Sequence, residues 1–172
     1  MSILPRSLLF FFVLASDFIL HSPFLGFTAI GGQLETLKWL KTQEGFKLNP
    51  EVFGVAARCG HFEVLKWLRS EGCPWDEWAC AGAAEGGHLE ILKWLRSEGC
   101  PWSELTCQYA AEYGHLDVLK YAHENGCPWD EETCEAAGEC DHLDVLRWAI
   151  DNGCPYKVNW RTREGLKELG LT

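Results

Sequence analysis

A period of 27 residues is the feature that most constrains this chain. One histidine recurs with this spacing, and so does a Gly-Cys-Pro segment whose cysteines are called the exit cysteines below. The histidines are His61, His88, His115 and His142, and the exit cysteines are Cys73, Cys100, Cys127 and Cys154. Self-similarity at a fixed period of this size indicates a repeat array, in which each unit packs only on its neighbours.

Each unit predicts two helices. A first helix begins after a residue whose side-chain oxygen can cap it, carries small residues such as Ala83 and Ala84, and ends at a glycine. A second helix begins at the histidine and repeats apolar residues at helical spacing. Asp141 replaces the glycine in the last unit, where we expect a strained turn. The caps are Asn49, Asp76, Ser103 and Asp130, and the glycines are Gly60, Gly87 and Gly114.

The predicted boundaries follow the period. An apolar N-terminal segment covers residues 1–27, the array covers 28–156, and a C-terminal capping helix covers 157–172. The array opens with a partial repeat that has Gln33 in place of the histidine and lacks the Cys-Pro exit, as is usual for an end unit. The partial repeat spans residues 28–46, and four fuller repeats span about 49–75, 76–102, 103–129 and 130–156.

Residues 1–27 have two interpretations. Arg6 is followed by an apolar run over residues 8–15, which is typical of a secretory signal peptide cleaved after Ala15. The run is too short to span a membrane, and Asp17 interrupts it. The other interpretation is an apolar helix that covers the first repeat, or a remnant of an earlier repeat. We favour it because cleavage would leave apolar residues such as Phe18 and Phe24 with little cover.

Composition limits the partners and the location. The formal net charge of −10 excludes nucleic acid as an expected partner, because a phosphate-binding surface needs a basic footprint. Equivalent residues of stacked helices lie about 8–10 Å apart, whereas a disulfide needs Cα atoms within about 7 Å. The repeated cysteines are therefore interpreted as reduced thiols that pack as small apolar residues, which favours a cytoplasmic location. We expect a monomer without a membrane span.

The string from Ala83 to Leu95, AAEGGHLEILKWL, resembles the helix-turn-helix of an ankyrin repeat. The resemblance covers about residues 28–155 and implies an all-α fold, an α-solenoid of stacked ankyrin-like repeats. An ankyrin repeat spans about 33 residues, and the residues missing here fall where that family builds a β-hairpin finger. We expect the finger to be absent or reduced to a tight turn. Aromatic residues of the shortened connection should pack beneath it: Trp75, Trp102, Trp129 and Tyr156.

The sequence predicts no catalytic, cofactor or metal site. A histidine copied into every unit fits a structural role in the turn, with a ring nitrogen bonded to a neighbouring backbone group, better than catalysis. The cysteines lack the close pairs of a zinc site. Cys59 and Cys140 stand outside the repeated positions and are interpreted as inert, with a reactive thiol as the alternative. A second-helix row of aromatic residues is assigned to packing between repeats: Trp39, Trp67, Trp94, Tyr121 and Trp148.

The candidate binding surface is the face of the first helices, where residues four apart form a carboxylate-rich strip that differs between units. The resemblance implies that first helices line a concave binding surface. We predict that this strip binds a basic or mixed protein surface, with charge setting the association rate and the choice of partner. The alternative is a solvated acidic face that binds nothing in particular. The candidate residues are Arg58, Glu77, Trp78, Glu85, Glu104, Gln108, Tyr109, Glu112, Glu131, Glu135 and Glu139.

The predicted function is a non-catalytic scaffold or adaptor for protein–protein interaction. Three alternatives stay open at this point. The chain is a secreted or host-directed repeat protein if residues 1–15 are a signal peptide. It is an enzyme only if turnover occurs without a recognisable site, and it is a structural fragment if the array continues in a longer protein.

Overall fold

The computed structural model describes residues 28–43 and 47–171. The two interpretations of residues 1–27, and the end of the partial repeat at 44–46, lie outside these residues. None of the described helices is long and apolar enough to cross a membrane. Besides the helical residues 28–30, the described helices are α1 (Leu34–Lys41), α2 (Pro50–Arg58), α3 (Phe62–Ser70), α4 (Glu77–Glu85), α5 (Leu89–Ser97), α6 (Glu104–Glu112), α7 (Leu116–Glu124), α8 (Glu131–Glu139), α9 (Leu143–Asp151) and α10 (Arg163–Glu168).

The helices form the all-α solenoid that the sequence predicts, with two helices in each unit. The first helices α2, α4, α6 and α8 pack side by side in one row, and each packs on the second helix of its own unit, α3, α5, α7 or α9. The C-terminal helix α10 packs on α8. Residues 28–43 and 47–171 contain no strand. The β-hairpin finger is thus replaced, in the described units, by a short connection between the exit cysteine and the next cap.

Small residues bring the first helices into backbone contact. A methyl group added at Gly82 in α4 would lie only 2.4 Å from the carbonyl oxygen of Gly54 in α2. Ala56, Ala83 and Ala110 on successive first helices are fully buried. Larger side chains at these places would force the helices apart, so the alanines and glycines set the spacing of the row.

The helix caps follow the sequence with one exception. The side chains of Asn49, Asp76 and Asp130 each accept a hydrogen bond from a backbone N–H two or three residues later, at 3.1–3.3 Å. The prediction for Ser103 is wrong, because its hydroxyl is buried and makes no cap hydrogen bond in the described structure. At the other end of the first helices, Asp141 adopts φ 63°, a left-handed conformation that confirms the strained turn.

The connection tryptophans pack as expected, and the tyrosine at the last connection does not. Trp75 meets the ring of Phe53 edge-on at 5.3 Å, and Trp129 stacks on His123 at 3.8 Å. The prediction for Tyr156 is wrong, since 41% of this residue is exposed. The cause is local: the residues after Tyr156 turn onto α8 instead of continuing the period.

Candidate functional site

Each turn histidine reaches back to the unit before it. The Nε2 atoms of three of them lie within hydrogen-bond distance of the last carbonyl groups of the preceding first helices: His61 to Ile30 at 2.6 Å, His88 to Arg58 at 3.0 Å, and His115 to Glu85 at 3.1 Å. This confirms the predicted structural role for His61, His88 and His115. The bonds also fix the backbone at the ends of α2 and α4, where Arg58 and Glu85 stand.

Helices α2, α4 and α6 enclose a groove of about 480 Å³. Residues near the ends of these three first helices provide its walls, and Gly54 and Gly82, at which α2 and α4 approach most closely, lie among its lining residues. We call this site the first-helix groove. Its lining residues are Glu51, Gly54, Val55, Arg58, Trp78, Gly82, Glu85, Tyr109, Glu112 and Tyr113.

Aromatic side chains form one wall of the first-helix groove. The rings of Trp78 and Tyr109 are 6.3 Å apart between centroids and are tilted by 38°. Trp78 is 49% exposed and Tyr113 is 47% exposed, which is unusual for residues of this size. The groove therefore presents an accessible aromatic surface next to ionised groups.

The charges around this wall are mainly negative. Arg58 Nη1 lies 3.3 Å from Glu85 Oε1, so the only guanidinium among the lining residues is turned towards a carboxylate. The negative charge of Glu85 raises the pKa of Tyr113. Desolvation, followed by the charges of Glu112 and Glu85, raises the pKa of Tyr109. Both phenols thus stay neutral at physiological pH beside the carboxylates.

The structure brings only part of the predicted strip together. Arg58, Trp78, Glu85, Tyr109 and Glu112 all line the first-helix groove. The strip is interrupted on α4, where the intervening residue Ala81 is fully buried against the neighbouring helices. Three further candidates lie on α4 and α6 but outside the lining of the groove: Glu77, Glu104 and Gln108.

The remaining candidates, Glu131, Glu135 and Glu139 on α8, contact the C-terminal segment of the same chain. Lys157 forms an ion pair with Glu131. Arg161 lies 3.3 Å from Glu135 and 3.4 Å from Glu139. At the end of the array, two cations of the same chain therefore pair with the three carboxylates of the strip.

Five lining residues were not among the candidates predicted from the sequence: Glu51, Gly54, Val55, Gly82 and Tyr113. A signal existed for Tyr113, because the equivalent positions hold Cys59, Gly86 and Cys140, so an aromatic residue there is not part of the repeat. Gly54 and Gly82 contribute a close approach of α2 and α4 and no side chain, and only the packed helices reveal that kind of role.

The cysteines contact one another in pairs that the sequence did not predict. Cysteines of the first helices contact exit cysteines of the same unit, Cys80 with Cys100 and Cys107 with Cys127. The hydrogen bond with Cys100, together with burial, raises the pKa of Cys80. Burial raises the pKa of Cys73 to about 12. Within residues 28–43 and 47–171, no cluster of three or more potential ligands could hold a metal ion.

The chain is similar in structure to the ankyrin repeat domain of human ASB11, which is known from a crystal structure. The two share 16% sequence identity with a TM-score of 0.62, and the match covers 88% of this chain and 85% of that one. No protein-family model and no curated protein matches the sequence. The array thus has an ankyrin repeat fold with shortened units.

Proposed function

We propose that this protein is a non-catalytic interaction scaffold that binds a protein partner through its first helices. The observation that carries the proposal is the first-helix groove, where Trp78 and Tyr113 are exposed beside Glu85 and Glu112. Exposed aromatic residues that do not serve the core mark interaction sites more often than chance would give. An ankyrin repeat fold is typical of such scaffolds.

The variation of the groove's aromatic positions between units supports the proposal. Stacking requires the buried alanines and leucines, which recur from unit to unit. The positions of Trp78, Tyr109 and Tyr113 hold other residue types in the neighbouring units, so these side chains are not needed for stacking. Residues that vary on an otherwise regular scaffold are those that can specify one partner.

The charges of the groove and of its surroundings favour a basic or mixed partner surface. Glu104 is exposed on the same helix as Glu112, and the chain as a whole carries a net charge of −10. Complementary charge would accelerate association and exclude acidic proteins. The proposed binding surface therefore includes the groove and two acidic residues of α4 and α6 outside its lining, Glu77 and Glu104. It leaves out the α8 carboxylates that the C-terminal segment occupies.

The test compares two double charge reversals of equal size. Glu104→Lys with Glu112→Lys alters the proposed surface. Glu63→Lys with Glu90→Lys changes two exposed carboxylates of second helices by the same total charge. Each variant is used as bait for affinity capture from cells that express the protein. We expect the control to retain the partners of the wild type and the first-helix variant to lose at least one of them. The proposal fails if both variants capture the same set.

We further propose a cytoplasmic location, with export by a signal peptide as the alternative. The support is the chemistry of the buried thiols, which pack as small apolar residues. Sequencing the N-terminus of the mature protein separates the two. A start near Met1 supports the cytoplasmic scaffold, and a start at Ser16 supports export.

A further inference from the structure

The first-helix groove combines three features that together select one kind of ligand. It has an aromatic wall, made by Trp78 and Tyr109, that is open to solvent. It has carboxylates at its edges, Glu85 and Glu112, which make the aromatic wall electrostatically negative. Flat π faces and carboxylates both attract cations, and they do so most strongly when the cation is planar and weakly hydrated.

The protein uses the same combination elsewhere within its own chain. The guanidinium of Arg69 lies 4.0 Å from the ring centre of Trp75, and Glu98 lies 3.7 Å from the same arginine. Arg96 lies 4.0 Å above the ring of Trp102. These contacts show that an arginine stacked on a tryptophan, with a carboxylate alongside, is compatible with the geometry of this array.

At Trp78 the corresponding cation has to come from outside the first-helix groove. The guanidinium that lines the groove, that of Arg58, has its Nη1 atom 3.3 Å from Glu85 Oε1. The ring of Trp78 instead meets Tyr109, and half of the tryptophan remains exposed. The groove, with a volume of about 480 Å³, has room for a long side chain above the close contact of Gly54 with Gly82.

We propose that the first-helix groove receives an arginine side chain of the partner protein, stacked on the wall of Trp78 and Tyr109 and bonded to the carboxylate of Glu112. This inference deepens the proposed function and rests on it. Arginine fits better than lysine because its planar guanidinium covers a ring face and offers several N–H donors to a carboxylate at once. Glu85 remains shared with Arg58 and adds negative charge beside the bound group.

The test uses a small probe, so it does not depend on knowing the partner. The complete chain, labelled with ¹⁵N, is titrated with N-acetyl-arginine amide. N-acetyl-citrulline amide, which has nearly the same shape without the charge, is the matched control, and N-acetyl-lysine amide is the second cation. The readout is the indole N–H resonance of Trp78, which the variant Trp78→Phe identifies by its disappearance.

We expect the arginine compound to shift this resonance saturably, with a dissociation constant on the order of millimolar. Citrulline should produce no saturable shift, and lysine should bind more weakly than arginine. Glu112→Gln should weaken arginine binding roughly fivefold, while Glu90→Gln on a second helix should leave it unchanged. Equal binding of arginine and citrulline, or lysine binding as tightly as arginine, would overturn the proposal.

Two controls keep the result interpretable. Trp160→Ala removes a tryptophan that is 71% exposed and lies outside the groove, so it should not change the titration. The melting temperature of each variant shows whether it is still folded. If arginine fails to bind while capture of partners still depends on Glu104 and Glu112, only the arginine inference is lost. If that dependence also disappears, the proposed function is lost with it.

Discussion

His115 Nε2 lies 3.1 Å from the carbonyl oxygen of Glu85, the last residue of the preceding first helix. The side chain of Glu85 meanwhile pairs with Arg58 in the unit before its own. Glu85 therefore links three successive units, since its backbone contacts the unit after its own and its carboxylate contacts the unit before. The bond that stabilises the stack also fixes the position of a residue that lines the first-helix groove.

Replacing His115 by alanine should destabilise the array. The change removes the hydrogen bond to Glu85 and the ring that lies against Gly87, at a cost of about 1–3 kcal/mol in the free energy of unfolding. Urea unfolding followed by circular dichroism measures the loss. Glu124→Ala, at an exposed position of α7, is the control and should change the free energy by less than about 0.5 kcal/mol. Equal stability of the two variants would contradict the structural role of the histidine.

Alanine variants of two glycines distinguish the cost of backbone strain from the cost of steric contact. Gly87 and Gly99 have φ of 70° and 82°, so alanine is strained at either position. A methyl group at Gly87 would also lie 2.7 Å from the His115 ring, whereas at Gly99 it would meet nothing within 4 Å. We expect Gly99→Ala to cost about 1–2 kcal/mol and Gly87→Ala to cost at least about 1 kcal/mol more. Thermal unfolding of the two variants tests this. Equal melting temperatures would show that the His115 ring moves aside at little cost in free energy.

Thiol reactivity should divide the nine cysteines into two groups. Seven are buried, Cys59 is half-buried and Cys140 is exposed. Burial holds the pKa of Cys73 near 12, so its reactive thiolate is scarce at pH 8. We expect an aromatic disulfide reagent to modify Cys140 first, Cys59 more slowly, and the others only as the protein unfolds. Exposure sets this order, because desolvation and the charges of Glu112 and Glu139 raise the pKa of Cys140 as well. Cys140→Ser should abolish the fast phase. More than two equivalents reacting in the native protein would be inconsistent with the packed core.

The contribution of the C-terminal segment to the free energy of unfolding should depend on charge. Arg161→Ala removes its contacts with Glu135 and Glu139, which are partly exposed, and should lower the free energy of unfolding by up to about 1 kcal/mol at low salt. The effect should shrink in 1 M salt, where charges are screened within about 3 Å. Lys167→Ala breaks an exposed pair with Glu164 inside α10 and is the matched control. A loss for Arg161→Ala that is unchanged by salt would assign its role to packing.

The sequence alone was sufficient for the regular part of the protein. A period of 27 residues, with histidine and glycine at fixed places, predicted two helices in each unit. The resemblance of the string from Ala83 to Leu95 to an ankyrin repeat implied the stack. The sequence also predicted the strained turn at Asp141 and the backbone contacts of His61, His88 and His115. These predictions succeeded because they concern interactions that every unit repeats. A pattern present in four copies reports the interactions that the copies share and not the contacts that are specific to one unit.

What only the tertiary structure decided concerns residues that meet across different units. The sequence placed Glu131, Glu135 and Glu139 in the same strip as Glu85 and Glu112. The folded chain brings Lys157 and Arg161 onto the first three and leaves the other two at an aromatic groove. The contact of Cys80 with Cys100 lies within one unit, but it too became visible only in the packed structure. Periodicity determines the face on which a residue stands, because that depends on the helix alone. Which neighbour reaches it depends on how the helices pack and on where the chain turns after the last unit.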